Sequence, residues 1–318
     1  MENFNKDRFL AYGRWDLVIN KSLYKNALIT TIVLFLAITI LGFLSAKGMY
    51  ALNGSFPFMA WLNTFSWLSN ARKLVVAIMA GYMFHNMLTH NSRITELTLP
   101  ASKQEKFLWH ILMYIGAPLL ACWVCILVCD GLFAILTAIF MDSSMIRSYI
   151  PMMFGAMSTD DFVSLIQMNI QTDNINVQCS NPMPDFLLSI FDRAVDFVST
   201  WGVISGITEY ILITGLFAFI NSIKYKHNIP LAFIVNVVLG ILMITGFVIV
   251  IFVGINNLSH GPAAYGVADI TPEINDMVDG IFTTVACTSV ISGIIGLICW
   301  YWTWKMYSKS QLTSAANK

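Results

Sequence analysis

Two carboxylates, Asp130 and Glu209, stand inside stretches apolar enough to be buried in hydrocarbon. A charge placed there is expensive, so such a residue turns to a cavity, a partner helix, or a path for protons or substrate. Glu209 falls near the middle of its run; Asp130 falls either mid-run or toward the outer end of a longer one. For both, a path-lining role and a hydrogen bond to a neighbouring helix stand side by side. Further chemistry is thin. No GxSxG elbow, HExxH pair or glycine-flanked aspartate pair occurs, so no catalytic residue is assigned and the chain is not expected to be an enzyme. Without a GxxxxGK[ST] phosphate loop, any use of nucleotide energy falls to a separate ATPase chain. No cofactor and no metal are expected, because Asp269, Glu273, Asp276 and Asp279 lack calcium-loop spacing and read as solvated faces. Cys122, Cys125, Cys129, Cys287 and Cys299 lie in apolar runs, where a small packing residue suffices. Cys179 stands alone in an outer segment as a free thiol or an intermolecular bridge.

The elements that position these groups follow from composition. Of 318 residues 57% are apolar and 11% charged, against about a quarter charged in a soluble domain. That excludes a water-soluble protein and predicts an all-α, polytopic integral membrane protein. Eighteen basic residues balance eighteen acidic ones and are scattered singly, which excludes a nucleic-acid surface. A hydrocarbon core of about 30 Å takes about 20 residues of helix. Runs of that kind predict six transmembrane helices, at about 26–46, 67–88, 107–140, 201–220, 231–255 and 280–304. The second is short unless Arg72 and Lys73 snorkel to the headgroups from its outer end. The third is too long for a perpendicular crossing, and Pro118 and Gly131 offer places to kink or tilt it.

An even number of crossings puts both termini on one side. With them inside, thirteen basic residues fall in inner segments and five in outer ones, which predicts a multi-pass protein of the cell inner membrane with both termini cytoplasmic. The first run, at 21 residues and preceded by 25, is an anchor rather than a signal peptide. Residues 1–25 form a cytoplasmic, interfacial part: Trp15, Val18, Ile19, Ser22 and Leu23 recur at helical spacing beside Arg14, Lys21 and Lys25, as in an amphipathic helix lying on membrane lipid. The alternative is a plain cationic flank ahead of a first span. His85, Asn86, His110 and Asn221 fall near inner ends of spans, as interfacial anchors. Residues 305–318 form a cytoplasmic tail.

In the inner loop 90–107, Ser102 and Glu105 have capping-box spacing and Pro100 disfavours helix at Leu99, predicting a turn and then a capped helix that enters the third span. Outside, segment 141–200 contains two short amphipathic stretches, one capped by Thr159 and one opened by Pro184 and Asp185. Thr271 and Pro272 open another helix in the last outer loop. Gly202 and Gly206 make a GxxxG pattern, and Ser292, Gly293 and Gly296 a second set of small residues, for close packing within the chain or across a dimer.

Two stretches together resemble type-2 ABC transporter permeases and related uncharacterised bacterial membrane proteins: Arg8-Phe-Leu-Ala-Tyr-Gly-Arg-Trp-Asp-Leu-Val-Ile-Asn20, and Leu99-Pro-Ala-Ser-Lys-Gln-Glu-Lys-Phe-Leu108, which is similar to their "LPAS..EKF" signature between the second and third spans. The outer region of about 60 residues is longer than in the usual permease pattern. The resemblance implies a permease subunit of an ATP-driven exporter. Its inner loop, through Leu99, Pro100, Ala101, Ser102, Lys103, Glu105 and Lys106, would couple to a cytoplasmic ATPase subunit, with a homodimer or second permease completing the path. The competing expectation is a non-transporting membrane scaffold or sensor that binds a ligand or protein through segment 141–200. An intramembrane enzyme built on Glu209 or Asp130 is the third.

Overall fold

The computed structural model describes residues 4–53, 58–85, 98–141, 185–223 and 271–316, together with positions 94, 96, 231, 232, 234–238, 240 and 248. All regular structure among them is helical. The helices are α1 (Lys6–Ile19), α2 (Lys21–Asn53), α3 (Phe58–Gly81), α4 (Lys103–Ile111), α5 (Ala117–Phe140), α6 (Asp185–Ile223) and α7 (Thr271–Ala316). Among the described residues, four stretches are long and apolar enough to cross a membrane: Lys21–Leu52, Lys103–Phe140, Val203–Ile223 and Val278–Lys309. Most of the expected fifth span, the Thr159 helix, Asn86 and Cys179 lie outside the described residues.

The expected third span begins at Ser102, whose Oγ accepts from the Glu105 amide while the Glu105 carboxylate accepts from the Ser102 amide. From there the chain is helical to Phe140. Its irregularity is confined to a widened turn over Leu112–Gly116, where the Ala117 amide donates to the Leu112 carbonyl five residues back. Pro118 follows directly; its missing N–H and bulky ring disrupt the normal pattern one turn earlier, and the wider turn absorbs the mismatch. Gly131 sits in unbroken helix with open space where a side chain would be. The helices expected to open at Asp185 and Thr271 are continuous with the spans that follow them, as α6 and α7. Arg193 and Asp279 form an ion pair between the two near those ends.

One core joins α2, α3 and α5 through Phe35, Trp61, Leu68, Cys122, Ile126 and Phe133. A second joins α3 to α6 through Ala77, Ala80, Leu212, Leu216 and Phe217. A third gathers Met83, Phe84, Tyr114 and Tyr307 where α3, α4 and α7 meet. Around these cores the surface is itself apolar: Leu41, Leu120 and Ile139 are 66%, 68% and 65% exposed. Water penalises such a surface, whereas lipid tails do not.

The small residues of the last span meet α6, but away from Gly206 of the GxxxG pattern. A Cβ on Gly296 would lie 2.6 Å from the Leu212 amide nitrogen and 2.7 Å from the Ile211 carbonyl carbon, and one on Gly293 would lie 2.9 Å from the Thr208 methyl, whereas Gly206 faces open space. The backbones of α6 and α7 therefore touch at Gly296. Gly296→Val is expected to force them apart and to lower the unfolding temperature of the detergent-solubilised protein by several degrees, through overpacking of about 1–3 kcal/mol. Gly206→Ala is the matched control, and equal melting of the two variants would contradict this packing.

Candidate functional site

The polar side chains gather in two places, one around α1 and α4 and one partway along the long helices. The first is held by α1, whose stripe Tyr12, Asp16 and Asn20 is buried at four-residue spacing. Asp16 is fully buried and accepts three hydrogen bonds: from Asn20 Nδ2 at 2.7 Å, Tyr24 Oη at 2.6 Å and Trp109 Nε1 at 3.0 Å. One carboxylate thus ties α1 to α2 and α4. Gly13 lets the helices approach, because a Cβ there would fall 2.4 Å from the Trp109 ring. A second carboxylate, the fully buried Glu105, fastens the start of α1. It accepts from the Asn5 amide at 2.7 Å and pairs with Arg8 at 3.3 Å, while its other oxygen holds the Ser102 amide.

Next to these lies a buried triad. His110 Nε2 is 3.0 Å from Glu96 Oε1, and the Tyr12 hydroxyl is 3.1 Å from that nitrogen and 3.3 Å from that oxygen. Burial, and then the Glu96 carboxylate, push the Tyr12 hydroxyl well above the ordinary tyrosine value, which keeps it a donor. Lys106 is buried as well and donates to the Glu96 backbone carbonyl. Between α1 and the turn before α4 lies a cleft of about 310 Å³, lined by Asp7, Arg8, Ala11, Tyr12, Leu99, Pro100 and Ala101.

The second cluster sits on α3. Arg72 and Lys73 are the fifteenth and sixteenth of its 24 residues, not its first. Gly42 of α2 is so close to α3 that a Cβ would meet Thr64 Oγ1 at 2.2 Å. Eight residues on, at about 1.5 Å each along an antiparallel helix, Arg72 stands level with about residue 34, near the middle of Lys21–Leu52. Lys73 Nζ makes a 2.6 Å ion pair with Glu209 of α6. Arg72 lies over the rings of Trp123 and Tyr210, at 4.7 and 5.3 Å from their centroids. Comparison with family models, curated proteins and solved structures matches none of them to this chain.

The two clusters change the meaning of several residues. Arg72 and Lys73 do not reach out from a helix end, because α3 runs from Phe58 to Gly81 and carries them well inside it. Glu209 finds its neighbouring helix, and its partner is a lysine 136 positions away. Asp130 is buried on α5. Of the seven inner-loop residues, Ser102, Glu105 and Lys106 are buried inside the chain, and Lys103, half-buried, reaches the Ser308 carbonyl of α7 at 3.4 Å. Leu99, Pro100 and Ala101 remain at the cleft surface. Trp15 is half-buried beside Tyr12, whereas Arg14, Lys21, Leu17, Val18 and Ile19 are exposed together. His110 is no interfacial anchor but a member of the buried triad. Tyr12, Asp16 and Glu96 have no sequence motif; the four-residue spacing of Tyr12, Asp16 and Asn20 is the one signal that marks a shared face. Among the described residues no group of three or more His, Cys, Asp or Glu side chains is arranged to hold a metal, and the described cysteines are unpaired.

Proposed function

We propose that this chain is the membrane-spanning permease subunit of an ATP-driven exporter in the cell inner membrane, with six spans, both termini cytoplasmic and a separate ATPase docking on its inner face. The supporting observation is the mechanical continuity of α4 and α5. The cleft beside Leu99, Pro100 and Ala101 adjoins the capped start of α4, and α4 runs without a break in helix into the span that ends at Phe140. A push on that surface is transmitted along a rigid rod of 38 residues into the helix core. α1 is the brace that fixes the rod's inner end, and its exposed Leu17, Val18 and Ile19 with Arg14 and Lys21 suit a helix resting on the headgroup layer.

The test is co-purification of the full chain with candidate ATPases. Leu99→Asp and Pro100→Asp place charge on the cleft surface and are expected to weaken capture by about tenfold or more, as loss of a central contact does, with the melting temperature kept. Charge reversal at Glu105 or Lys106 is unsuitable, because both side chains are buried. If the unmutated protein captures no ATPase, the permease reading loses its main support and the scaffold or sensor reading takes its place.

A further inference from the structure

The charge cluster on α3 holds one more cation than its described partners neutralise. Glu209 is taken by Lys73 at 2.6 Å. Among the described residues no carboxylate pairs with Arg72; its Nη2 reaches the Ser69 hydroxyl at 3.5 Å, and its buried Nε has no hydrogen-bond partner. The Trp123 and Tyr210 rings offset part of the charge from their faces. The N–H groups at the guanidinium edge form a planar fork suited to a carboxylate or phosphate. A guanidinium level with the middle of a long apolar helix, beside two aromatic rings and with no carboxylate paired to it among the described residues, has the chemistry of an anion site.

We infer that Arg72, flanked by Trp123 and Tyr210, binds the anionic head of an amphiphile, a lipid-like phosphate or carboxylate that reaches it through the apolar surroundings. The Lys73–Glu209 pair one residue away fixes the register of α3 against α6 and so holds the fork in place. One turn along α3 from Arg72, Val75 begins an apolar groove of about 130 Å³ that continues over Met79, Ala27, Thr31, Ala117 and Ala121, a suitable bed for a hydrocarbon tail. The site rests on the chain spanning a membrane, not on its having an ATPase, so failure to capture an ATPase leaves it standing.

The experiment uses the full chain purified in dodecyl maltoside, which carries no phosphate, and follows its melting temperature during titration with dodecyl phosphate, dodecanol or inorganic phosphate. Saturable stabilisation by dodecyl phosphate is expected, with little from dodecanol or inorganic phosphate alone. Arg72→Gln should weaken the apparent affinity by about tenfold or more, the loss of charge-assisted hydrogen bonds. Arg72→Lys keeps the charge without the fork; it should bind with intermediate affinity and serves if the glutamine variant does not fold. Arg14→Gln, an exposed cation on α1, should titrate as the unmutated chain does. No stabilisation of the unmutated protein, or equal stabilisation of the Arg72 variants, overturns the site. A response to inorganic phosphate equal to that of dodecyl phosphate overturns the amphiphile as its ligand.

Discussion

Glu209→Gln is expected to destabilise the protein by about 1–3 kcal/mol: the pair is only part-buried within the protein, which lowers its worth, but its loss leaves a lone lysine within an apolar helix. Lys73 would lose the carboxylate it pairs with at 2.6 Å. Lys73→Met should cost a similar amount for the converse reason. The double variant Lys73→Met with Glu209→Gln removes both charges and is expected to recover most of the loss. Thermal unfolding of the four proteins in detergent closes a double-mutant cycle; strictly additive losses would show that the pair contributes no coupling. On the proposed permease reading, the same four proteins separate structure from transport. If Glu209 only fastens α3 to α6, the double variant regains transport together with stability. If it lines a path, transport stays lost in a well-folded protein.

The second large effect is expected at Asp16. Asp16→Ala strands three donors, the buried ones of Asn20 and Trp109 and the half-buried hydroxyl of Tyr24, and each unsatisfied buried group costs about 1–3 kcal/mol. Relaxation and water entry recover part of that sum, so a loss of about 3 kcal/mol is expected, with α1 released from α4. Limited proteolysis reads the release directly: cleavage after Arg8 or Arg14 should accelerate well before the spanning helices melt. Arg14→Ala, on the exposed side of the same helix, should leave cleavage after Arg8 unchanged. Protection of α1 in Asp16→Ala equal to that in the unmutated chain would mean that the carboxylate does not hold the helix down. Because Asp16 holds α1 against Trp109 of α4, the Asp16 variant is also expected, on the proposed permease reading, to weaken capture of an ATPase at the Leu99–Ala101 surface.

Much of this architecture is written locally. Hydrocarbon solvation depends on a run of side chains, so the apolar stretches announce their helices residue by residue. The capping box at Ser102 and Glu105 concerns backbone groups three residues apart, and the widened turn before Pro118 follows from one ring and one missing donor. The cost of a buried carboxylate is likewise a property of a single residue in its run, which is why Glu209 and Asp130 stand out in the sequence.

What that carboxylate meets is another matter. A helical period states which residues share a face but not which face of which helix lies opposite, so Lys73 and Glu209 carry no common signal over 136 positions. The same limit explains α1. Its exposed apolar side is plain in the periodicity, but Tyr12, Asp16 and Asn20 read as ordinary polar positions until Trp109, Tyr24 and His110 are brought against them by α2 and α4. Each of the charges on Arg72 and Lys73, taken alone, is unfavourable inside an apolar run, so the sequence predicts both at a helix end. Only the tertiary structure supplies the carboxylate and the two rings that carry them in mid-helix, and pairing of charges across helices is a sum over the whole fold. The sequence by itself determined which segments are helical and which groups are too polar for hydrocarbon to leave alone. Packing decided which of those groups neutralise one another, and set the Arg72 guanidinium beside the Trp123 and Tyr210 rings.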